Sequence, residues 1–143
     1  LTSDSPTSKW TGWKNCLMRT STMTTLLGLL TSEISDVIVP VNKLTSVGNQ
    51  ISTIDTTSDN LFLLSEIEIF GTLTYSFTGE GTRYSYYAAG GGSIKNKSSA
   101  ATQWWTRSPR STSSSYYLYV NTSGAMAYTY PDRLYGVAFA FCT

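Results

Sequence analysis

Tyr116-Tyr-Leu-Tyr-Val-Asn121 alternates in a way that decides the fold class. Successive side chains of a strand point to opposite faces. Tyr116, Leu118 and Val120 therefore share one face, and Tyr117, Tyr119 and Asn121 the other. Thr122-Ser123-Gly124 supplies a turn, after which Met126, Tyr128 and Tyr130 alternate against Ala125, Ala127 and Thr129. Upstream, residues 103–107 read as a strand. Downstream, Gly136 precedes a last strand over 137–142, with Val137, Phe139 and Phe141 on one face. Strands divided by turn signals at regular intervals predict a twisted antiparallel β-meander toward the C-terminus.

The first half reads differently. Apolar residues at Met23, Leu26, Leu27, Leu30, Ile34, Val37 and Ile38 follow a helical period. Ser21 or Thr22 is placed to cap the start, and Thr31-Ser32-Glu33 to split the run, with Ser32 capping the second piece. Pro40 ends it. Residues 39–58 read mostly as loop and short strand, with a turn at Gly48-Asn49. Residues 61–64 form a buried strand. Ser65 and Glu68 have the spacing of a capping box, so a short helix starts there and Gly71 stops it. Residues 72–103 look irregular, punctuated by glycines around a Tyr84/Tyr86/Tyr87 cluster. Short helices early and strands late predict an α+β domain over 10–143. Residues 1–9, polar and carrying Pro6, read as a linker or frayed arm. A first residue that is Leu rather than Met reads as a piece processed or excised from a longer chain.

Composition narrows the function. The 143 residues carry a formal charge of +1, and only 13% are charged, about half the usual share. Nothing in that balance attracts nucleic acid or an anionic membrane, and no apolar run approaches the roughly 20 residues that span a bilayer. With no histidine, the commonest acid–base group and metal ligand is missing. Glu66 and Glu68 are the one close carboxylate pair, and the capping box explains Glu68 better than catalysis does. Asp55 and Asp59 are a poor match to a calcium loop, and the glycine-rich stretches lack the Lys-Ser/Thr end of a phosphate cradle. No cofactor or metal is expected, and no enzymatic activity. Cys16 and Cys142 lie near opposite ends; they are either a disulfide closing nearly the whole chain or two buried thiols.

The strongest functional signal lies between Thr106 and Tyr135, which hold six of the ten tyrosines and a Ser/Thr run over 111–115. Tyrosine offers large, rigid, amphipathic contact area at small entropic cost, and serine offers compact hydrogen-bonding ends. Tyr116 shares a face with Leu118 and Val120 and is expected to be half-buried, whereas Tyr117, Tyr119, Tyr128, Tyr130 and Tyr135 are expected to form an exposed patch.

Trp104-Trp105-Thr-Arg-Ser-Pro109 and Tyr135-Gly-Val-Ala-Phe-Ala-Phe-Cys142, with Leu61-Phe-Leu-Leu-Ser-Glu-Ile-Glu-Ile-Phe-Gly71 and Cys16-Leu-Met-Arg19 before them, resemble the landmarks of a C-type-lectin-fold domain common in gut bacteria and their phages. The resemblance runs from about Trp13 to Cys142. It implies a fold shared with formylglycine-generating enzymes and with the variable proteins of diversity-generating retroelements, in which a stiff frame displays a C-terminal receptor-binding patch. Mapped onto this chain, the contact residues are Thr106, Arg110, Thr112, Ser114, Tyr117, Tyr119, Tyr128, Tyr130, Asp132, Arg133 and Tyr135. Trp104, Trp105, Arg107, Ser108, Pro109 and residues 136–142 would be frame. The calcium–sugar motifs of true C-type lectins and the paired reactive cysteines of the formylglycine-generating enzymes have no counterpart here. The implied function is non-enzymatic binding of a host-surface protein or glycan receptor, at a phage tail tip or on a bacterial or other cell surface, with no nucleic acid and no membrane insertion. The alternative is a structural or oligomerisation module, part of a larger homo-oligomeric fibre.

Overall fold

Two strands that the hydrophobic pattern does not announce form the longest element. In the computed structural model, which describes residues 12–143, β1 (Val41–Gly48) and β2 (Ile51–Asp59) make an antiparallel hairpin. Asn49 and Gln50 turn it with φ of 55° and 61°, the positive values that match a two-residue hairpin to the twist of its strands. The expectation of loop and short strand over 39–58 is corrected here. The inward side of this ribbon is polar rather than apolar: Lys43, Thr45, Thr57 and Asp59 are all buried. A strand with polar groups on both faces carries no hydrophobic alternation to detect.

The remaining elements are short. Gly12–Asn15 forms α1, followed by a π-helical turn (Met18–Thr22) that runs directly into α2 (Met23–Gly28). Neither Ser21 nor Thr22 starts a helix, because the chain is already helical when it reaches them. The split at Thr31 is present. Thr31, extended at ψ 155°, is the cap residue of α3 (Ser32–Ser35), one position earlier than expected. Leu26, Leu27, Leu30 and Ile38 pack on the core, but Leu29, Ile34 and Val37 are exposed.

β3 (Phe62–Leu63) pairs with β9 (Phe139–Ala140), so the last strand closes onto the middle of the chain. The helix α4 (Glu66–Phe70) begins with the full capping box of Ser65 and Glu68 and ends at Gly71, whose φ of 73° needs glycine. A further helix, α5 (Ser85–Ala88), and a small hairpin, β4 (Lys95–Lys97) with β5 (Ala100–Thr102), occupy the stretch that reads as irregular. The meander is β6 (Trp104–Pro109), β7 (Tyr117–Val120) and β8 (Met126–Thr129), in that order. Among the described residues the domain is α+β, with short helices and several small antiparallel sheets. The expected linker over 1–9 and Trp10 lie outside the described residues.

The apolar core joins Trp13, Phe62, Leu63, Ile69, Trp104 and Trp105, each at most 1% exposed. Beside it lies a polar core. Between Trp105 and Pro109 the pairing of β6 with β7 slips, leaving 106–108 as a bulge. That bulge turns Arg107 inward, fully buried. Its guanidinium donates to the Glu68 carboxylate, to Thr45 Oγ1 (2.9 Å), and to the carbonyls of Leu63 (2.7 Å), Leu44 (3.2 Å) and Glu80 (2.9 Å). Lys43 meets the other oxygen of Glu68. Burial alone would raise the Glu68 pKa; Arg107 and Lys43 outweigh it and hold the carboxyl below its ordinary value. Glu80, also fully buried, accepts from Ser46 N at 2.9 Å and meets Ser108 Oγ. Desolvation dominates there and pushes its pKa up to about 7. Cys16 and Cys142 are free thiols in the same apolar cluster.

Two outcomes follow for stability. Replacing Arg107 by Met leaves the buried Glu68 carboxylate with Lys43 as its one charged partner and breaks four further hydrogen bonds. Urea unfolding of Arg107→Met should show a loss on the order of 3–5 kcal/mol. Glu80 gives a pH signature. Between an unfolded pKa near 4.5 and a folded one of about 7, the folded chain holds a proton that the unfolded chain has released. The Glu80 contribution is therefore complete below pH 4.5 and is lost as pH rises through about 7, a fall of roughly 3 kcal/mol at most. Urea midpoints measured from pH 5 to 8 should decline in the wild type and flatten in Glu80→Gln. Glu68, with its lowered pKa, acts the opposite way, and its contribution is lost only under acid.

Candidate ligand-binding surface

The tyrosine-rich segment is built outward from a buried acid. Glu66, only 1% exposed, sits at the first turn of α4. Its carboxylate accepts from the backbone N–H groups of Thr74 (3.1 Å), Tyr75 (3.1 Å) and Ser76 (2.7 Å). This fixes the loop that carries Tyr75. The Tyr75 carbonyl in turn accepts from Ser111 N (2.8 Å) and Ser111 Oγ (2.7 Å). Arg110 N donates to Tyr116 O at 3.0 Å, closing the 110–116 loop at its base. A rigid interior thus holds the loop between β6 and β7 through main-chain atoms and the Ser111 hydroxyl.

On this base three tyrosines surround Arg110, and a fourth, Tyr130, packs on one of them. Its guanidinium carbon lies 3.6 Å from the centroid of the Tyr128 ring and 5.8 and 5.9 Å from those of Tyr116 and Tyr75, a stacked cation–π arrangement. Tyr116 packs edge-on against Tyr130 at 4.7 Å and lies 5.5 Å from Tyr128, whose ring also meets Tyr75 at 5.1 Å. Tyr128 and Tyr130 are exposed. The Tyr116 and Tyr130 hydroxyls approach to 3.5 Å, and that hydrogen bond raises the Tyr116 pKa. A second cluster joins Tyr119, Tyr135 and Trp105, with Tyr119 and Tyr135 centroids 4.6 Å apart. Burial, and then Tyr135, raise the Tyr119 pKa.

Two residues named from sequence as contacts are interior. Thr106 is fully buried in the bulge, and its hydroxyl donates to Leu118 O at 2.9 Å. Tyr117 is 2% exposed and belongs to the apolar core; burial pushes its pKa up. The alternation misleads because β7 is covered on both faces. Leu118 and Val120 are buried on one, Tyr117 on the other. Tyr116 precedes the strand and is half-buried, as expected.

Arg110, Tyr128 and Tyr130 come together, as do Tyr119 and Tyr135. Thr112 and Ser114 ride the 110–116 loop. Asp132 and Arg133 are exposed and pair with each other at 3.7 Å. Tyr75 carries no signal in its own neighbourhood, since contacts distant in sequence, to Ser111, Arg110 and Tyr128, bring it in.

Residues 3–142 match a family described as "Domain of unknown function (DUF6273)". The chain belongs to the DUF6273 family. No curated protein and no solved structure matches it. In this DUF6273 domain the landmark stretches meet in space, since Glu68 of α4 pairs with Arg107 of β6 and Glu66 N donates to Ser108 Oγ at 3.0 Å.

No group of three or more His, Cys, Asp or Glu is placed to hold a metal among the described residues. Asp55 and Asp59 lie along β2. Asp59 serves Trp13 Nε1 (2.9 Å) and Arg19 (2.6 Å), and Asp55 faces Lys14 (3.5 Å). None of the described helices is long and apolar enough to cross a membrane.

Truncation separates frame from surface. Tyr117→Ala should cost on the order of 3–5 kcal/mol in urea unfolding, as for other buried aromatic residues. Tyr130→Ala should cost about 1 kcal/mol or less, the worth of an exposed ring contact.

Proposed function

We propose that this DUF6273 domain is a non-enzymatic ligand-binding module of C-type-lectin-like fold, and that the face around Arg110, Tyr116, Tyr128 and Tyr130 takes a host-surface receptor. The observation that carries this is the grouping of solvent-facing tyrosines on a loop base fixed from the buried Glu66. Aromatic anchors on a stiff support lose little entropy when a partner arrives. Pairing of β3 with β9, and the buried WWTRSP strand behind the tyrosines, support a lectin-like frame. By its resemblance, the domain would stand at a phage tail tip or on a bacterial surface.

Exposed Leu29, Ile34 and Val37 favour a second reading, a structural or oligomerisation module. A single monomeric species in sedimentation at tens of micromolar would remove it.

The test of the first reading is a variant with Tyr116, Tyr128 and Tyr130 all replaced by Ala, scored for binding to cells of candidate bacterial hosts. Binding should fall at least roughly a hundredfold, the effect of losing several hot-spot aromatics, while the thermal transition stays cooperative. Unimpaired binding would reject the surface, and a chain that no longer folds would assign these rings to the frame.

A further inference from the structure

Among the described residues three buried or half-buried cations are matched by carboxylates, while half-buried Lys95 of the β4–β5 hairpin has only ring faces 6.0 Å away. Arg107 and Lys43 meet Glu68, and Arg19 meets Asp59. Arg110 is not so matched. It is half-buried, its Nε is shielded from solvent with no hydrogen-bond partner, and among the described residues no carboxylate pairs with it. Its contacts are ring faces. Removing a guanidinium partly from water without a counter-charge costs free energy that a cation–π stack only partly returns. A guanidinium lying flat on a ring keeps its N–H groups in its own plane, directed outward past the ring edge. That planar fork suits a carboxylate.

The surroundings narrow the ligand further. Tyr116 and Tyr130 present ring surface and hydroxyls together, and hydroxyl-bearing Thr112 lies exposed on the adjoining loop. A pyranose has the matching character, with an apolar C–H face for the rings and a rim of hydroxyls for hydroxyl partners. We propose that this face binds a carboxylate-bearing sugar, a uronic or sialic acid unit, with its carboxylate on Arg110 and its ring face against Tyr116 or Tyr130. The proposal rests on the ligand-binding role given above and names the chemistry of that ligand.

The test is calorimetric titration of the full chain with trigalacturonate, its methyl ester, sialyllactose, lactose and a hexaglutamate peptide. An acidic sugar should bind at least roughly ten-fold more tightly than its neutral counterpart, the scale of one charged hydrogen bond. In Arg110→Gln that preference should vanish, and Arg110→Lys, which keeps charge but not the planar fork, should recover only part of it. The acid–ester comparison uses the unaltered protein, so it stands even where a variant folds poorly. Equal binding of acid and ester, no binding of either acidic sugar, or binding of hexaglutamate alone would each overturn the proposal. Neutral sugar bound equally by wild type and Arg110→Gln, but lost in the tyrosine triple variant, would overturn the acidic ligand and keep the surface. Host binding unchanged in the triple variant would remove the surface itself.

Discussion

One guanidinium organises this molecule. Arg107 reaches from the bulge of β6 to β1, to the end of β3, to the helix α4 and to the loop at Glu80. These elements are far apart in the chain and too short to hold each other by strand pairing alone. An arginine in an interior is tolerable only when every donor has an acceptor and its charge has a partner, and here Glu68, the Thr45 hydroxyl and three carbonyls supply them. The geometry of those acceptors is demanding, so the fold that satisfies them is specified closely. Apolar packing around Trp13, Trp104 and Trp105 supplies the non-directional part of the stability.

Glu68 does two things at once. Its Oε2 accepts from Ser65 N at 2.9 Å, completing the capping box, and receives Arg107 as well. The helix start and the cross-chain ion pair are therefore one feature. The capping spacing was legible because it is local. The ion pair was not, because residues 39 apart announce nothing about each other by position. The same divide explains the rest. The first three strands of the meander, α4 and its glycine stop rest on short-range patterns and are present where those patterns put them, whereas the expected last strand shortens to Phe139–Ala140 and pairs with β3. The β1–β2 hairpin was hidden because Lys43, Thr45, Thr57 and Asp59 face a polar interior and break the alternation that marks a half-buried strand.

The candidate site was legible to the same degree. That Tyr128, Tyr130 and Arg110 belong to one surface followed from their composition and their closeness along the meander. Which tyrosines of β7 face outward did not follow, because period-two reasoning assumes one wet face, and this strand has none over Leu118 and Tyr117. Thr106 failed for another reason. A bulge consumes residues without advancing the ladder, so the face of each residue within it cannot be counted from the ends.

The way the 110–116 loop is tied down has a wider consequence. Its base is held by Arg110 N on Tyr116 O and by Ser111 on the Tyr75 carbonyl, while Thr112 and Ser114 make no side-chain hydrogen bond among the described residues. The main-chain part of this fastening is blind to residue identity, and the side chains that take part are Ser111, and Ser113, whose Oγ accepts from Ser115 N at 3.1 Å. At Thr112 and Ser114 the loop can accordingly exchange one side chain for another at small thermodynamic cost, and the chemistry on display there can be rewritten while the interior that carries it stays as it is.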